Sequence, residues 1–210
     1  MQADLLLKLD AGLDRLKINL SKHQCGQLVG YVELMAKWNK AYNLTSVRDP
    51  MEMLSKHILD SLAIVPFITK RHYIDVGTGP GLPGIPLAIA CPTSKFTCLD
   101  SLGKRVRFMK QAAFELGIEN VLPIQSRVED FQPPKKYDGV LSRAFASTQD
   151  MLHWCDHLVD FAGEFLALKG QYPQDELKAI AGNIKIVSTH KLEVPFLDGE
   201  RNLIVLKKHV

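Results

Sequence analysis

Ile74-Asp75-Val76-Gly77-Thr78-Gly79-Pro80-Gly81-Leu82-Pro83-Gly84 is the stretch on which the fold turns. A short strand, His72 to Val76, runs straight into closely spaced glycines. Such a junction brings backbone against a ligand at the carboxyl end of a sheet. Downstream, strands and helices alternate. Leu87 to Ala90 lies in a helix, followed by a strand at Lys95 to Leu99 and a helix at Lys104 to Leu116. Val121 to Gln125 and Tyr137 to Leu141 read as strands, Thr148 to Val159 as a helix, Phe165 to Leu168 as a strand and Pro173 to Ile180 as a helix. This alternation predicts an α/β, doubly wound sheet. The chain closes on two strands, part of Ile184 to Val194 and then Asn202 to Lys207, separated by Leu197-Asp198-Gly199-Glu200. They predict a terminal antiparallel hairpin at the end of the sheet.

Upstream of the loop no strand is legible. Leu5, Leu6, Leu9, Leu13 and Leu16 fall at helical spacing. Ser21-Lys22-His23-Gln24 has capping-box form before Leu28, Tyr31, Val32, Met35 and Trp38. Asp49-Pro50-Met51-Glu52 opens a third helix to about Ile64, with an acid at the N-cap and proline at the first helical position. The expected division is a helical N-terminal extension, 1–69, covering the edge of an α/β domain at 70–210.

The composition is that of an ordinary globular protein: 210 residues, 46% hydrophobic and 23% charged, which excludes disorder, collagen and coiled coil. Twenty-six Lys and Arg against 23 Asp and Glu leave a formal charge of +3, so local clustering must decide whether nucleic acid is a partner. Cys25, Cys91, Cys98 and Cys155 form no CxxC pair and have no histidine at zinc-ligand spacing, so reduced thiols and no metal site are expected. No targeting segment or membrane-length apolar run is visible, and a soluble, cytoplasmic, monomeric protein is expected.

The glycine loop fits two templates. Gly77-x-Gly79-x-Gly81 preceded by Asp75 suits S-adenosylmethionine, whereas Gly79-x-Gly81-x-x-Gly84 matches the dinucleotide fingerprint. A pyrophosphate needs free backbone N–H groups at a helix N-terminus, and Pro80, Pro83 and Pro86 have none. S-adenosylmethionine has no phosphate. Its methionine end carries an ammonium, which Asp75 at the strand end can attract. Asp100 ends the next strand, where a carboxylate can accept both ribose hydroxyls of either ligand. The methyl-donor reading prevails.

The acceptor is harder to read. Amino methylation of adenine or cytosine usually goes with an Asn/Asp-Pro-Pro-aromatic loop after the fourth strand, where this chain has Leu141-Ser142-Arg143-Ala144-Phe145. Carbon methylation of cytosine needs a nucleophilic cysteine, and the only Cys-Pro, Cys91-Pro92, precedes the second strand. A ring nitrogen such as guanine N7 has a free lone pair and needs no base. Lys104, Arg105, Arg107 and Lys110 cluster without an acid among them, and Arg127 and Arg143 follow the third and fourth strands. A basic rim around a donor site favours RNA or DNA. Three alternatives stay open: a methyltransferase of a protein or small molecule, a non-catalytic RNA-binding protein with a vestigial loop, and an NAD-dependent oxidoreductase.

Asn43-Leu44-Thr45, His57-Ile58-Leu59-Asp60-Ser61, the loop Asp75 to Gly84, Leu99-Asp100-Ser101 with Lys104-Arg105, and Ser142-Arg143-Ala144 occur in that order. In these motifs the chain resembles the glucose-inhibited division protein B family, the ribosomal RNA small subunit methyltransferases G, over nearly its whole length. The resemblance implies a class I S-adenosylmethionine-dependent methyltransferase fold, Rossmann-like. It also implies N7 methylation of one guanine in bacterial 16S ribosomal RNA, on the free RNA or the small ribosomal subunit. By the same resemblance Gly77 and Leu82 line the donor site, Val128 and Glu129 border the adenine, and Arg143 reaches the donor or the target guanine. Asp75, Gly79, Gly81 and Asp100 complete the expected cofactor site. Arg143 is the expected catalytic residue, holding the reacting groups in line with no essential general base. Lys104, Arg105, Arg107, Lys110, Arg127 and Arg48 are the expected RNA contacts. His57, Asp60 and Ser61 share one helix face, read here as helix-to-sheet packing with a satisfied polar network.

Overall fold

Alternate residues along a strand point to opposite faces of its sheet, and here that alternation decides where the helices pack. In the computed structural model, which describes residues 1–143, 145, 147–180 and 182–208, the strands are β1 (His72–Val76), β2 (Lys95–Asp100), β3 (Val121–Gln125), β4 (Tyr137–Ser142), β5 (Val159–Lys169), β6 (Ile184–Lys191) and β7 (Asn202–Lys208). They form one sheet in the order β3-β2-β1-β4-β5-β7-β6. The first five are parallel, and β7 runs antiparallel to both β5 and β6, as the terminal hairpin required. The chain leaves β1 toward β2 on one side and returns to β4 on the other. The carboxyl ends of β1 and β4 therefore flank the switch-point crevice where open α/β sheets bind ligands.

Tyr73, Phe96, Cys98, Leu141, Leu166 and Leu203 face one side of the sheet. Ile74, Val76, Leu99, Val140, Phe165 and Ile204 face the other. The first face carries α1 (Gln2–Leu16), α2 (Lys22–Tyr42), α3 (Pro50–Met53), α4 (Asp60–Leu62), α5 (Gly84–Ala90) and α6 (Gly103–Leu116). The second carries α7 (Thr148–Cys155) and α8 (Gln174–Lys178). Leu5, Leu9, Leu28, Val32 and Met35 share one core with Ile85, Leu87, Phe108 and Met109. The N-terminal helices thus lie over a face, packed on α5 and α6, and not along an edge as expected; the edges are β3 and β6. The apolar stripe of α2 needs an apolar partner, which the outer sides of α5 and α6 supply.

The caps form as read. Ser21 and Gln24 make a reciprocal capping box on α2, and Asp49 accepts from Met51 N at the start of α3. Three elements differ from expectation, one of them β5, which runs Val159–Lys169 and so begins well before the Phe165 expected. The third helix is not uniform: a π-helical stretch, Leu54–Leu59, separates α3 from α4. Such widened turns cluster at functional sites, and this one carries His57 up to Asp60. The helix expected to reach Val159 ends at Cys155, with a 3₁₀ turn over Asp156–Leu158. Leu158 and Val159 are both buried, so apolar periodicity continues through them, but Val159 opens β5 by pairing with Tyr137.

Candidate active site

Asp75 ends its strand buried, and the loop that follows is built around its carboxylate. Oδ2 accepts from the Thr78 hydroxyl at 2.5 Å and from Gly84 N at 2.8 Å. Oδ1 is buried with no hydrogen-bond partner. Burial raises the Asp75 carboxyl to about 6, against the opposing pull of the Thr78 and Gly84 hydrogen bonds. The loop backbone is pinned from three sides. Gly77 N and Thr78 N donate to Leu99 O, Leu82 N donates to Thr78 O, and the Tyr31 hydroxyl of α2 donates to Pro80 O at 2.6 Å. Gly84 touches Asp75 so closely that an added Cβ would sit 3.0 Å from Oδ2 and collide with Cys98 Sγ. Gly84→Ala is expected to lower stability by about 1–3 kcal/mol through overpacking. Thermal unfolding measures this, and an unchanged midpoint would show that the junction has slack.

Beyond the loop, a cleft of about 820 Å³ opens at the carboxyl ends of the strands. Of the expected site residues Gly77, Gly79, Leu82, Arg105 and Arg143 line it, whereas Asp75, Gly81 and Asp100 lie behind that lining. Gly79 has φ +63°, a conformation glycine adopts without penalty, and an added Cβ would meet open space. Gly81 differs from expectation: its missing side chain leaves room for Ile85 and Tyr31, so it packs the loop onto the helices. Asp100 is buried and already engaged. Gly79 N and the Arg105 guanidinium donate to Oδ2 at 2.9 and 3.1 Å, and Leu102 N donates to Oδ1 at 2.9 Å. Ser126 N donates to Asp100 O, which holds the loop after β3 beside this carboxylate. In that loop Val128 packs on the second core, while Glu129 is exposed and pairs with Arg127 at 3.6 Å; neither lines the cleft.

These contacts separate the two ligand templates. The Gly79 and Gly84 amides, which a pyrophosphate would require, are already spent on Asp100 and Asp75. Two carboxylates there would repel a dinucleotide's phosphates. The unpartnered Oδ1 of Asp75 fits the ammonium of a methionine moiety. Asp100 stands at the end of β2, where a ribose would be held, with one acceptor place open while Arg105 is paired to it, so the residue types suit S-adenosylmethionine. The free protein should hold a growing fraction of protonated Asp75 as pH falls through about 6. An ammonium binds the ionised form, so S-adenosylhomocysteine affinity should fall below that pH, by up to roughly tenfold per unit. Calorimetry between pH 5 and 8 measures this, and a flat profile would remove the ion pair from the account.

Arg143, just past β4, donates through Nη1 to Asp60 Oδ2 at 2.6 Å. Arg201, just before β7, donates through Nε to Asp60 Oδ1 at 2.9 Å. One buried carboxylate of the helical segment thus fixes two cleft arginines, one after β4 and one before β7. The neighbouring His57 ring meets the Thr45 hydroxyl at 2.8 Å through Nε2, and Ser61 donates to His57 O. Burial and then the Arg143 charge lower His57 to about 4, so it is neutral at physiological pH. A polar network is present but not fully satisfied, since His57 Nδ1 is buried with no hydrogen-bond partner, and Asp60 serves the site as well as the packing. Ala144 of the Ser142-Arg143-Ala144 motif lies outside the described residues.

The expected RNA contacts divide. Arg107 and Lys110 stand exposed on α6, and Arg127 is exposed on its loop. Lys104 instead donates to Tyr42 O, and Arg48 donates to Asn39 O and the Asn43 side chain, bracing the loop after α2. Trp38 packs on Phe108 and Tyr42. Sequence reasoning missed Lys56, Lys169 and Arg201, which also line the cleft. Among the described residues no group of three His, Cys, Asp or Glu is placed to hold a metal, and no helix is long and apolar enough to cross a membrane.

A family profile described as GidB, rRNA small subunit methyltransferase G, matches residues 24–205. A ribosomal RNA small subunit methyltransferase G of Alteromonas mediterranea is 62% identical over 99% of both chains. The protein of that description from Escherichia coli K12 is 57% identical, over 97% of this chain and 95% of its own. Among solved structures, M. capricolum TrmK with S-adenosyl-homocysteine superposes with a TM-score of 0.57 at 17% identity, covering 71% of this chain and 67% of that one. TrmN from Thermus thermophilus superposes with a TM-score of 0.55 at 19% identity, covering 71% and 48%.

Proposed function

Because the chain belongs to the rRNA small subunit methyltransferase G family, we propose that it transfers a methyl group from S-adenosylmethionine to N7 of one guanine in 16S ribosomal RNA. The observation that carries the reading is family membership over nearly the full chain. Its structural support is the unpartnered Asp75 oxygen beneath the glycine loop. When bound, S-adenosylmethionine supplies an electrophilic methyl on a sulfonium.

Asp75 would hold the ammonium end, the Gly77 to Gly79 backbone would bound the methionyl chain, and Asp100 would take the ribose, with the loop of Val128 and Glu129, outside the cleft but tied to Asp100 O through Ser126 N, bordering the adenine. Guanine N7 carries an in-plane lone pair and no proton, so no residue need act as a base. The chain's task is to position the base and exclude water. Arg143, held by Asp60, is placed to direct a donor at an acceptor oxygen of the target nucleotide while N7 stays free. The exposed Arg107, Lys110 and Arg127, with Lys56 and Arg201 at the cleft, supply phosphate attraction around it. The cytoplasm, where ribosomal RNA is assembled, is the compartment this reading requires.

The modified atom is identified by digesting methylated 16S RNA to nucleosides after reaction. The expected product is N7-methylguanosine; a methyl group on another base or on ribose would overturn the assignment.

A further inference from the structure

With Arg105 paired to it, Asp100 cannot accept a ribose diol. A carboxylate oxygen offers two lone pairs. Oδ2 of Asp100 has both filled, by Gly79 N at 2.9 Å and Arg105 Nη1 at 3.1 Å, while Oδ1 has one filled by Leu102 N. One place is left, and a ribose presents two adjacent hydroxyls. Two of the three present donors are backbone amides, one set by the glycine loop and one by the turn entering α6, and neither can withdraw without unfolding its segment. The third is a side chain. Arg105 is 32% exposed, and its Nε is buried with no acceptor. A buried donor left unpaired makes the resting position costly and easy to vacate. Arg105 also lines the cleft and belongs to the run Lys104 to Lys110, whose Arg107 and Lys110 are exposed.

We infer that Arg105 is a latch on the ribose seat, displaced when the cofactor's hydroxyls take Asp100 and thereby released to contact an RNA phosphate. The inference rests on the proposed function and adds an order of binding to it. The exchange is of hydrogen bonds only. A ribose hydroxyl replaces a guanidinium N–H on Oδ2, and a phosphate oxygen replaces the carboxylate as partner of the guanidinium, an exchange to which the arginine fork is suited. Without cofactor, Arg105 is neutralised by Asp100 and contributes little to RNA binding. With cofactor, the same charge is free. Linkage requires the converse: RNA that captures Arg105 strengthens cofactor binding by the same factor.

The test is calorimetry of S-adenosylhomocysteine on the full chain, with RNA affinity measured on a 16S transcript with and without S-adenosylhomocysteine. Arg105→Met should bind S-adenosylhomocysteine roughly three- to tenfold tighter than wild type, because the competitor is gone. The wild-type gain in RNA affinity on adding S-adenosylhomocysteine should shrink toward none in the variant. A merely structural clasp predicts the opposite, weaker S-adenosylhomocysteine binding in the variant. Equal or weaker binding, or wild-type RNA affinity indifferent to S-adenosylhomocysteine, would overturn the latch. Arg105→Lys keeps the charge without the fork and should tighten binding by a smaller factor, which carries the test if the methionine variant does not fold. Wild-type protein that binds no S-adenosylhomocysteine would overturn the reading of the site itself, an outcome distinct from unaltered binding in the variant.

Discussion

Replacing Arg143 with alanine should reduce methyl transfer to 16S RNA by roughly a hundredfold or more, the scale expected when a pre-positioned charged donor is removed from a reaction centre. Arg143 lines the cleft, and its Nη1 contact with the buried Asp60 carboxylate fixes its reach. Asp60 also holds Arg201, so one negative charge serves two arginines and the cluster keeps a net positive charge beside the glycine loop. Removing Arg143 leaves Asp60 paired with Arg201, which preserves the fold. S-adenosylhomocysteine affinity then says which partner Arg143 serves. Affinity within a few fold of wild type places it on the acceptor side, and a parallel loss places it on the donor. Near-normal turnover would contradict both roles.

Asp75→Asn should weaken S-adenosylhomocysteine binding by roughly a hundredfold without unfolding the protein, the loss expected for an ion pair in a desolvated site. The asparagine oxygen can keep the Thr78 and Gly84 hydrogen bonds that Oδ2 makes now. Its amide group would occupy the place of Oδ1, turning donors toward an ammonium that needs an acceptor. The effect on the free protein has the opposite sign. Burial raises the folded carboxyl to about 6 against an ordinary value of 3.8, so ionised Asp75 lowers stability, and the penalty grows as pH rises from about 4 to 6. At pH 7 the asparagine variant should therefore unfold at the same temperature or higher. Unaltered S-adenosylhomocysteine affinity would remove Asp75 from the site.

What was legible in the sequence depended on local signals. The loop from Asp75 to Gly84 carries its own chemistry: a buried acid, glycines at a close approach, and prolines that remove phosphate donors. The strand pattern places β1, β2, β3 and β4 to within a residue: β1, β2 and β4 are buried apolar runs with clear ends, while β3, an edge strand with Leu122 exposed, is bounded by the polar residues around it. The site's other half is assembled by topology. Arg201 precedes the last strand and Lys169 ends β5, and nothing local marks either; they reach the cleft because β7 inserts between β5 and β6 and brings its start to the carboxyl end of the sheet. Asp60 reads from sequence as packing because its partners lie 83 and 141 residues away. The π-helical stretch that carries His57 was invisible because apolar periodicity does not register a widened turn. The engagement of Asp100 by Arg105 is equally unreadable from spacing, since both residue types are expected there on separate grounds.

On this reading the cleft at the glycine loop delivers a methyl group to small-subunit RNA. The most direct measurement is transfer of labelled methyl from S-adenosylmethionine to purified 16S RNA and to small ribosomal subunits, with 23S RNA as the competing substrate. Label is expected in the 16S RNA of at least one of the two small-subunit substrates, approaching one methyl per molecule, and none above background in 23S RNA. No label in either form of 16S RNA, or equal label in 23S RNA, would contradict that reading.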